Sequence, residues 1–583
     1  MDSSIKLPDI LVMPSLPGVR RDGTPTDADY FNDAQWCRFV RNKPRKMGGF
    51  QEVSPFFSGP IHSGLLWSRQ FMNIYCAFSP YGVEFTLMDN NGVGSVVTNI
   101  TPAAYVYNPT TLWSQDYLFD AASGANATLL IAAPLQTLQN IDDPTLGQVY
   151  ITTLNNPGVM TPVADVKAVT SGGIFCTPPY TVLLGNDGNV TWSDANSPQS
   201  YTGGDAGSTR VTGSKVVKGL PMRTGISSGG ILWSLDSVIR MDYVGGAVIF
   251  KFSHLSTKSS ILSQRGVIEY DGKWYWVGID RFMTCNGVQV DELTNDMNLN
   301  WFFDNLNFSQ RQKVFAQKMP RFGEIWWFFP KGESTECNWA VIYNVRTKIW
   351  YDTQISRASG FTPSTFRYPI MTDTAPNDHI SASLTVTTGT IAEGDYIRGV
   401  TSGAEGVIIT LGGSGPYTIF TTDINSSNFT IGEGFVDITS GATGVVSTWR
   451  PLYSVYAHEK GYDAIIGQYV TAIPSSFTTC DFGLPTGGAQ PNSTTGQDAN
   501  TRITRIEPDF NMTADMSVQV LGRKFAQSEE VASNLYTFSA DTGKIDLREQ
   551  AREFRLKFES NALGGFYEGG KILVHTELGD VRP

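Results

Sequence analysis

Between about residues 56 and 370, short runs of aromatic and β-branched residues recur, and Gly, Asn, Asp or Pro separates each run from the next. Such runs fit the half-buried surface of a β-strand, and the separating residues favour turns. The run 273–278 follows the turn Asp271-Gly272, and the run 324–329 follows Gly323. This pattern predicts a fold built mainly of β-strands.

Three stretches follow one loose plan of strand, turn and strand: GLLWSRQFMNIYCAFSPYGVEFTL, ILWSLDSVIRMDYVGGAVIFKF and VIEYDGKWYWVGIDRFMTCNGV. This spacing is typical of a β-propeller, whose blades are four-stranded sheets. We therefore expect a β-propeller core over residues 56–375. The repeat is too degenerate to give the number of blades.

The length of 583 residues indicates more than one hydrophobic core. Residues 1–55 contain five prolines between positions 8 and 44, which prevent a long helix, and we expect an arm and a first strand there. Residues 451–583 include runs of alternating polarity and should supply the final propeller strands and a C-terminal β domain. Few helices are expected, with one or two short ones between Leu293 and Gln317.

Residues 376–450 contain an internal duplication. The stretch IAEGDYIRGVTSGAEGVIIT (391–410) matches IGEGFVDITSGATGVVST (431–448), and each copy holds a Gly-Ala turn between two strand-like runs. Two such copies predict a small β-barrel or sandwich that is inserted into the larger fold.

Composition favours a protein that makes extensive contacts with other proteins. Charged residues make up 17% of the chain, below the roughly 25% of an average soluble protein. The net charge of −12 offers no general attraction for DNA phosphates, so any role around DNA should be passive guidance.

The six cysteines are scattered, with no CxxC pair, and we expect them to be reduced core residues. The first ten residues lack the basic and then apolar layout of a signal peptide, and no run of 18 apolar residues indicates a membrane span. We therefore expect a protein that is made in the cytoplasm and stays soluble, without a membrane span.

Three features of the sequence resemble parts of catalytic or metal-binding sites. Residues 225–229 satisfy the GxSxG pattern of a hydrolase, but the pattern needs a helix after the serine, and a strand-like run follows here. The five histidines lie far apart, and none belongs to an HExxH zinc motif. We therefore predict no catalytic residues, no metal site and no cofactor, and we expect that the protein is not an enzyme.

A glycosidase remains an alternative, because a propeller can carry the paired carboxylates that such an enzyme needs. The run Asp187-Gly188-Asn189-Val190-Thr191-Trp192 resembles the Asp box of sialidases, except that its Gly directly follows the Asp. A turn that leads into a strand at Trp192 explains the same residues.

Residues 36–46 hold five cations and no acid, with aromatic residues between them. Such a stretch could stack nucleic-acid bases, form a solvated face, or dock on an acidic partner. Because the whole chain is acidic, docking is the preferred interpretation. The candidate docking residues are Arg38, Arg41, Arg45 and Lys46.

Several stretches, in their order along the chain, resemble the tail nozzle proteins of short-tailed bacteriophages, also called tail tubular protein B or packaged DNA stabilisation proteins. They are RDGTPTDADYFNDAQWCRFVRNKPRKMGGFQEV near the start, WSDANSPQSY (192–201), YDGKWYWVGIDRF (270–282), EIWWFFP (324–330), YAHEKGYDAI (456–465), RIEPDF (505–510) and REQAREFRLKFESNALGGFYEGGKILVHTELGD (548–580). The resemblance spans most of the chain except residues 376–450.

The resemblance implies a β-propeller subunit of the virion tail that forms a hexameric ring below the portal and adaptor proteins. Such a ring encloses the channel for genomic DNA without binding it specifically, and loops close the channel until infection. Tail fibre or spike proteins would be further partners. Two alternative functions are also consistent with the sequence. One is a receptor-binding or glycan-cleaving tail protein, and the other is an extracellular bacterial propeller that binds sugars.

Overall fold

The computed structural model describes residues 9–13, 15–24, 29–69, 72–94, 96–121, 126–136, 145–222, 229–362, 366–376, 379–410, 417–421, 428–467, 469–483, 499–525 and 528–581. Within these ranges strands predominate, and the helical elements are α1 (Leu299–Asn305) and the 3-10 helices Asn186–Gly188 and Phe308–Lys313. The prediction of a mainly β fold is confirmed, as is that of short helices between residues 293 and 317.

The first 57 residues contribute seven strands: β1 (Asp9–Val12), β2 (Leu16–Val19), β3 (Tyr30–Phe31), β4 (Asp33–Gln35), β5 (Cys37–Val40), β6 (Lys43–Lys46) and β7 (Phe50–Phe57). Six of them pair with one another or with strands from the last part of the chain, and β7 enters a sheet with strands from both sides of residue 400. The described part of this stretch, in which the sequence predicted an arm and a first strand, is therefore built into five sheets. Its prolines exclude long helices but leave room for short strands.

Six consecutive antiparallel sheets follow, each of four strands joined in order along the chain. Sheet A has β8 (Ser63–Arg69), β9 (Met72–Ser79), β10 (Gly82–Met88) and β11 (Thr98–Asn99); sheet B has β12 (Thr111–Asp120), β13 (Ala127–Gln136), β15 (Tyr150–Thr153) and β16 (Thr161–Pro162). The short strands β14 (Gly147–Gln148) and β17 (Val169–Thr170) pair with each other.

Sheet C has β18 (Gly173–Thr177), β19 (Tyr180–Leu184), β20 (Asn189–Trp192) and β21 (Gly207–Arg210); sheet D has β22 (Val216–Pro221), β23 (Gly229–Ser234), β24 (Val238–Tyr243) and β25 (Phe250–Ser256). Sheet E has β26 (Ile268–Tyr270), β27 (Lys273–Val277), β28 (Phe282–Cys285) and β29 (Val290–Glu292); sheet F has β30 (Phe315–Met319), β31 (Glu324–Phe329), β32 (Trp339–Asn344) and β33 (Ile349–Gln354).

Large aromatic side chains pack between neighbouring sheets. Trp233 of sheet D lies against Trp276 of sheet E, with ring centroids 5.7 Å apart. On β31, Trp326 and Trp327 belong to two different core clusters because successive residues of a strand point to opposite faces. Both faces of sheet F are therefore buried, which explains the continuous apolar run 325–329.

Sheet G has six strands in the order β34-β35-β42-β7-β43-β44. Its strands outside the N-terminal segment are β34 (Ser359–Phe361), β35 (Ile370–Thr372), β42 (Tyr453–His458), β43 (Asp463–Ile466) and β44 (Tyr469–Ala472). The first strand of sheet G, β34, contacts both β30 of sheet F and β8 of sheet A. The succession of sheets A to G therefore returns to its beginning.

A closed barrel lies between β35 and β42 in the chain. Its strands are β36 (His379–Thr388), β37 (Tyr396–Gly399), β38 (Glu405–Thr410), β39 (Tyr417–Thr421), β40 (Gly434–Asp437) and β41 (Thr443–Pro451). The first duplicated stretch supplies β37 and β38, and the second supplies β40 and β41. The Gly-Ala turns correspond, since Gly403 and Gly441 have positive φ and the alanine after each is buried.

The remaining strands are β45 (Ser475–Thr478), β46 (Ala499–Glu507), β47 (Phe510–Met512), β48 (Met516–Arg523), β49 (Val531–Phe538), β50 (Ile545–Ala551), β51 (Glu553–Ser560), β52 (Tyr567–Gly569) and β53 (Leu573–Val581). They form three sheets with the N-terminal strands, in the orders β1-β53-β46-β50, β4-β45-β51-β48-β49 and β47-β52-β6-β5. We call this unit the terminal domain. One core cluster continues from it onto sheet F.

Candidate functional site: the cationic hairpin and its surroundings

The cationic segment 36–46 forms a two-stranded hairpin in the terminal domain. Strands β5 and β6 pair antiparallel, with Arg38 opposite Arg45. The two residues between the strands, Arg41 and Asn42, have φ values of 52° and 62°. Positive φ at both central residues is the signature of the turn that best matches the twist of a hairpin. The turn therefore fixes which faces of the hairpin the cations occupy.

Arg38 is buried, with 1% of its surface exposed. Its Nε lies 2.9 Å from Glu324 Oε1, and its Nη1 donates to Glu459 Oε2 at 2.8 Å. The guanidinium also lies 3.6 Å from the centre of the Phe322 ring. Although burial by itself lowers the pKa of Arg38, the two carboxylates raise it above its ordinary value. The side chain thus joins the hairpin to sheet F and to the turn after β42.

Lys46 is also buried, and its Nζ donates to the backbone carbonyl of Ser560 at 3.4 Å. Burial lowers the pKa of Lys46 to about 8, while the nearby carboxylate of Asp463 acts in the opposite direction. Its ammonium group therefore serves contacts within the terminal domain.

Arg41 and Arg45 both lie near Glu568. Arg41 pairs directly with this carboxylate, and Arg45 Nη1 lies 3.5 Å from its Oε2. The side chain of Arg41 is 79% exposed, whereas that of Arg45 is 24% exposed and lies over the ring of Phe566. The Arg41 end of this arrangement lies mostly in water, where an ion pair contributes little stability.

These positions divide the four predicted docking residues. Arg38 and Lys46 are enclosed by the chain itself and cannot reach a partner while the fold is intact. Their partners come from residues 324, 459 and 560, and no feature of the segment 36–46 alone indicates that distant contact. Of the four cations, only Arg41 and Arg45 present charge at the surface, so the docking interpretation is restricted to them.

Four of the histidines each contact a charged side chain. His62 lies 3.3 Å from Glu336, His379 lies 3.0 Å from Glu52, and His575 lies 2.8 Å from Glu507. His458 accepts from Arg357 Nε at 2.9 Å, and burial followed by that positive charge lowers its pKa well below the usual value. Across the described ranges, no three His, Cys, Asp or Glu residues are grouped to hold a metal ion.

The other motifs of the sequence either occupy turns or fall on residues that the structure does not describe. Gly225 to Ser228 of the GxSxG match fall outside the described residues, and Gly229 begins β23. Asp187 stands in the 3-10 helix before β20 with a φ of 53°, and Trp192 is the last residue of that strand. All six cysteines are buried, as predicted for core residues, and none of them is paired with another cysteine.

Two polar side chains just before β26, those of Gln264 and Arg265, reach residues in or next to the first strands of sheets B, C, F and G. Gln264 Nε2 donates to the Gly172 carbonyl at 3.0 Å and to Ser114 Oγ at 3.3 Å. Arg265 donates to the carbonyls of Lys313 and Ala358 at 3.0 and 3.3 Å. Side chains in this region therefore form hydrogen bonds to groups from several sheets.

Asp116 of β12 belongs to the same region. Its carboxylate accepts from the backbone N–H of Cys176 at 2.7 Å. Burial raises its pKa to about 6, and the nearby charge of Lys218 only partly opposes that effect. Asp116 therefore changes its protonation state in mildly acidic solution.

A second cationic feature lies beside the hairpin and was not predicted. The residues that line a cleft of about 620 Å3 between sheets F and G include Lys318, Arg321, Phe322, Arg367, Tyr368 and Glu459. These residues come from two separate loops and the turn after β42, so no local run of cations marks the cleft in the sequence.

None of the helices among the described residues is both long and apolar enough to cross a membrane. No protein-family model matches the chain, and no curated protein matches it either.

Proposed function

We propose that this chain is a structural subunit of a bacteriophage tail, and that several copies form the nozzle ring which retains packaged DNA and provides the channel for its ejection. Its architecture would be a seven-bladed β-propeller in which sheets A to G are the blades. The portal and adaptor proteins would bind on one side of the ring, and fibre or spike proteins would bind elsewhere on it.

The observation that carries this proposal is the closed succession of sheets. Each of sheets A to F is a four-stranded antiparallel meander, and β34 of sheet G contacts the first strands of both sheet F and sheet A. A closed ring of such sheets is the arrangement expected of a propeller. It agrees with the fold implied by the ordered motifs that resemble tail nozzle proteins.

The DNA channel would lie between copies of the chain. Gln264 and Arg265 occupy the region where the first strands meet, and their side chains are bonded to backbone carbonyls there. We therefore propose that the channel follows the axis of the assembled ring. A net charge of −12 supports this role, because an acidic protein offers no general attraction for the phosphates of the passing DNA.

The test is the mass and symmetry of the purified protein, alone and mixed with the neck proteins of the same virion. Light scattering should give six times the 63.8 kDa of one chain, or that mass only in the presence of the adaptor. Electron microscopy should show a six-fold ring with an axial channel. A stable monomer that ignores the neck proteins would refute the proposal, and hydrolysis or binding of a polysaccharide by that monomer would favour the alternatives.

A further inference from the structure

The cleft between sheets F and G concentrates positive charge in an acidic chain. Arg321 and Arg367 line it and are exposed, and Arg346 lies beside it, where its guanidinium donates to the carbonyls of Pro320 and Arg321 at 2.8 and 3.2 Å. Lys460 lies 5.9 Å from the centre of the Tyr368 ring. Four cations thus meet at one place on a protein whose net charge is −12.

These four cations are not neutralised by nearby carboxylates. Within the ranges that the structure describes, no Asp or Glu oxygen lies within 4.0 Å of Arg321, Arg346, Arg367 or Lys460. The neighbouring segment 363–365, outside those ranges, contains no acidic residue. Glu459 is already held by Arg38, and Lys318 lies 3.6 Å from Glu269. The positive charges of the cleft are therefore available to bind a ligand.

The aromatic residues of the cleft are already in contact with cations. The Phe322 ring has Arg38 at 3.6 Å and Arg321 at 5.3 Å, and the Tyr368 ring has Arg367 at 5.2 Å. Phe366 is only 8% exposed. Proteins that bind single-stranded nucleic acid present free aromatic faces for base stacking. The arrangement here instead favours a ligand that is recognised through its negative charge.

We propose that this cleft binds an acidic segment of a partner protein, whose carboxylates pair with Arg321, Arg346 and Arg367. The cavity holds a few side chains and is too small for a folded domain, so a flexible segment fits it better than a rigid surface. Arginine is suited to this task because its planar guanidinium can bind a carboxylate through two parallel hydrogen bonds. This inference does not depend on the proposed place of the chain in a virion.

The experiment uses the full chain and a fluorescein-labelled hexaglutamate peptide, with binding followed by fluorescence anisotropy at low and moderate salt. We expect binding that weakens with salt, because screening reduces the attraction between charges. The double substitution Arg321→Glu, Arg367→Glu should weaken it by about tenfold or more, since it replaces two attractive charges with repulsive ones. Arg210→Glu is the matched control, because Arg210 is also exposed and donates to a backbone carbonyl, that of Thr212.

If the charge reversal prevents folding, a second variant, Arg321→Gln with Arg367→Gln, tests the proposal instead, because it removes both charges without reversing them. It should bind the peptide more weakly than the wild type while its thermal unfolding is unchanged. Equal binding by the wild type and the Gln variant would overturn the proposal. So would an eight-nucleotide oligo-dT that binds more tightly than the peptide and depends on the same two arginines, because the occupant would then be nucleic acid.

Discussion

Arg38 links three parts of the chain through a buried charge, since its carboxylate partners are Glu324 and Glu459. We expect Arg38→Met to lower the free energy of unfolding by about 3–5 kcal/mol, because removing one partner leaves the carboxylate of Glu324 buried without its counter-charge. Urea unfolding followed by tryptophan fluorescence measures this loss.

The control for that substitution is Arg41→Met in the same hairpin. Arg41 is exposed and pairs with Glu568 at the surface, so its loss should cost about 1 kcal/mol or less. If the two variants lost equal stability, the burial of the Arg38 pair would not be the source of its effect.

The ionisation of Asp116 should make the free energy of unfolding depend on pH, and a substitution can separate this effect from those of other groups. Its pKa is raised from 3.8 to about 6 by burial, so the folded state binds a proton more tightly than the unfolded state. Its contribution to stability is therefore fully present below about pH 4 and is lost as the pH rises to about 6. Relative to Asp116→Asn, the wild type should lose between about 1 and 3 kcal/mol across this interval.

Thermal unfolding of both proteins at several pH values between 4 and 7 measures that difference. Asp280→Asn is the control, because Asp280 is exposed and pairs with Arg281 at the surface. A difference between the wild type and Asp116→Asn that did not change with pH would show that Asp116 titrates in the folded protein as it does in water.

At the level of single residues, the sequence indicated where cations cluster but not which of them are buried. Arg38 hydrogen-bonds to residues 286 and 421 positions away, and such partners leave no signal within the segment itself. The cleft cations were missed for the same reason, since Arg321, Arg367 and Lys460 belong to different loops. Only three-dimensional packing brings them together.

Among the elements, local turn chemistry was the most predictable feature. The predicted turn at Asp271-Gly272 joins β26 and β27, and both residues have positive φ, 49° and 76°. The corresponding turn at Arg41-Asn42 was not predicted, because Arg is uncommon at such a position and the segment was interpreted through its charge. Terminal-domain pairing was also missed, since nothing in residues 9–46 identifies their distant partner strands.

The barrel β36–β41 should be removable, because its first and last strands lie next to each other. Ile380 pairs with Pro451, and the Leu452 N–H donates to the His379 carbonyl at 2.9 Å. Replacing residues 380–451 with a short Gly-Ser linker should therefore leave the rest of the chain folded, with a melting temperature within a few degrees of the wild type. His379 is kept because it contacts Glu52.

Differential scanning calorimetry and near-ultraviolet circular dichroism would check this variant. The loss of cooperative unfolding would contradict the prediction and would show that the barrel supports the surrounding sheets.

At the scale of the whole molecule, the N-terminal segment should be indispensable. Strand β7 lies between β42 and β43 in sheet G, and Phe31, Phe39 and Met47 belong to the core shared by the terminal domain and sheet F. Deleting residues 1–57 should therefore abolish cooperative folding, because it removes a central strand and opens that core.

The measurement is the soluble yield of the deletion variant and its thermal unfolding, with the barrel deletion as a control of similar size. A soluble variant that unfolds cooperatively would contradict this prediction and would show that the remaining strands fold without the N-terminal segment.

Strand β7 also imposes an order on folding. Glu52 of this strand hydrogen-bonds to Ser454, which lies 402 positions later in the chain. During synthesis the partners of β7 emerge from the ribosome only after all of sheets A to F, so the strand must wait with its backbone groups unpaired. Folds dominated by contacts so distant in sequence form slowly, and waiting strand edges can pair with the wrong chain. The step most exposed to misassembly should therefore be the late completion of sheet G, after synthesis has passed its last strand.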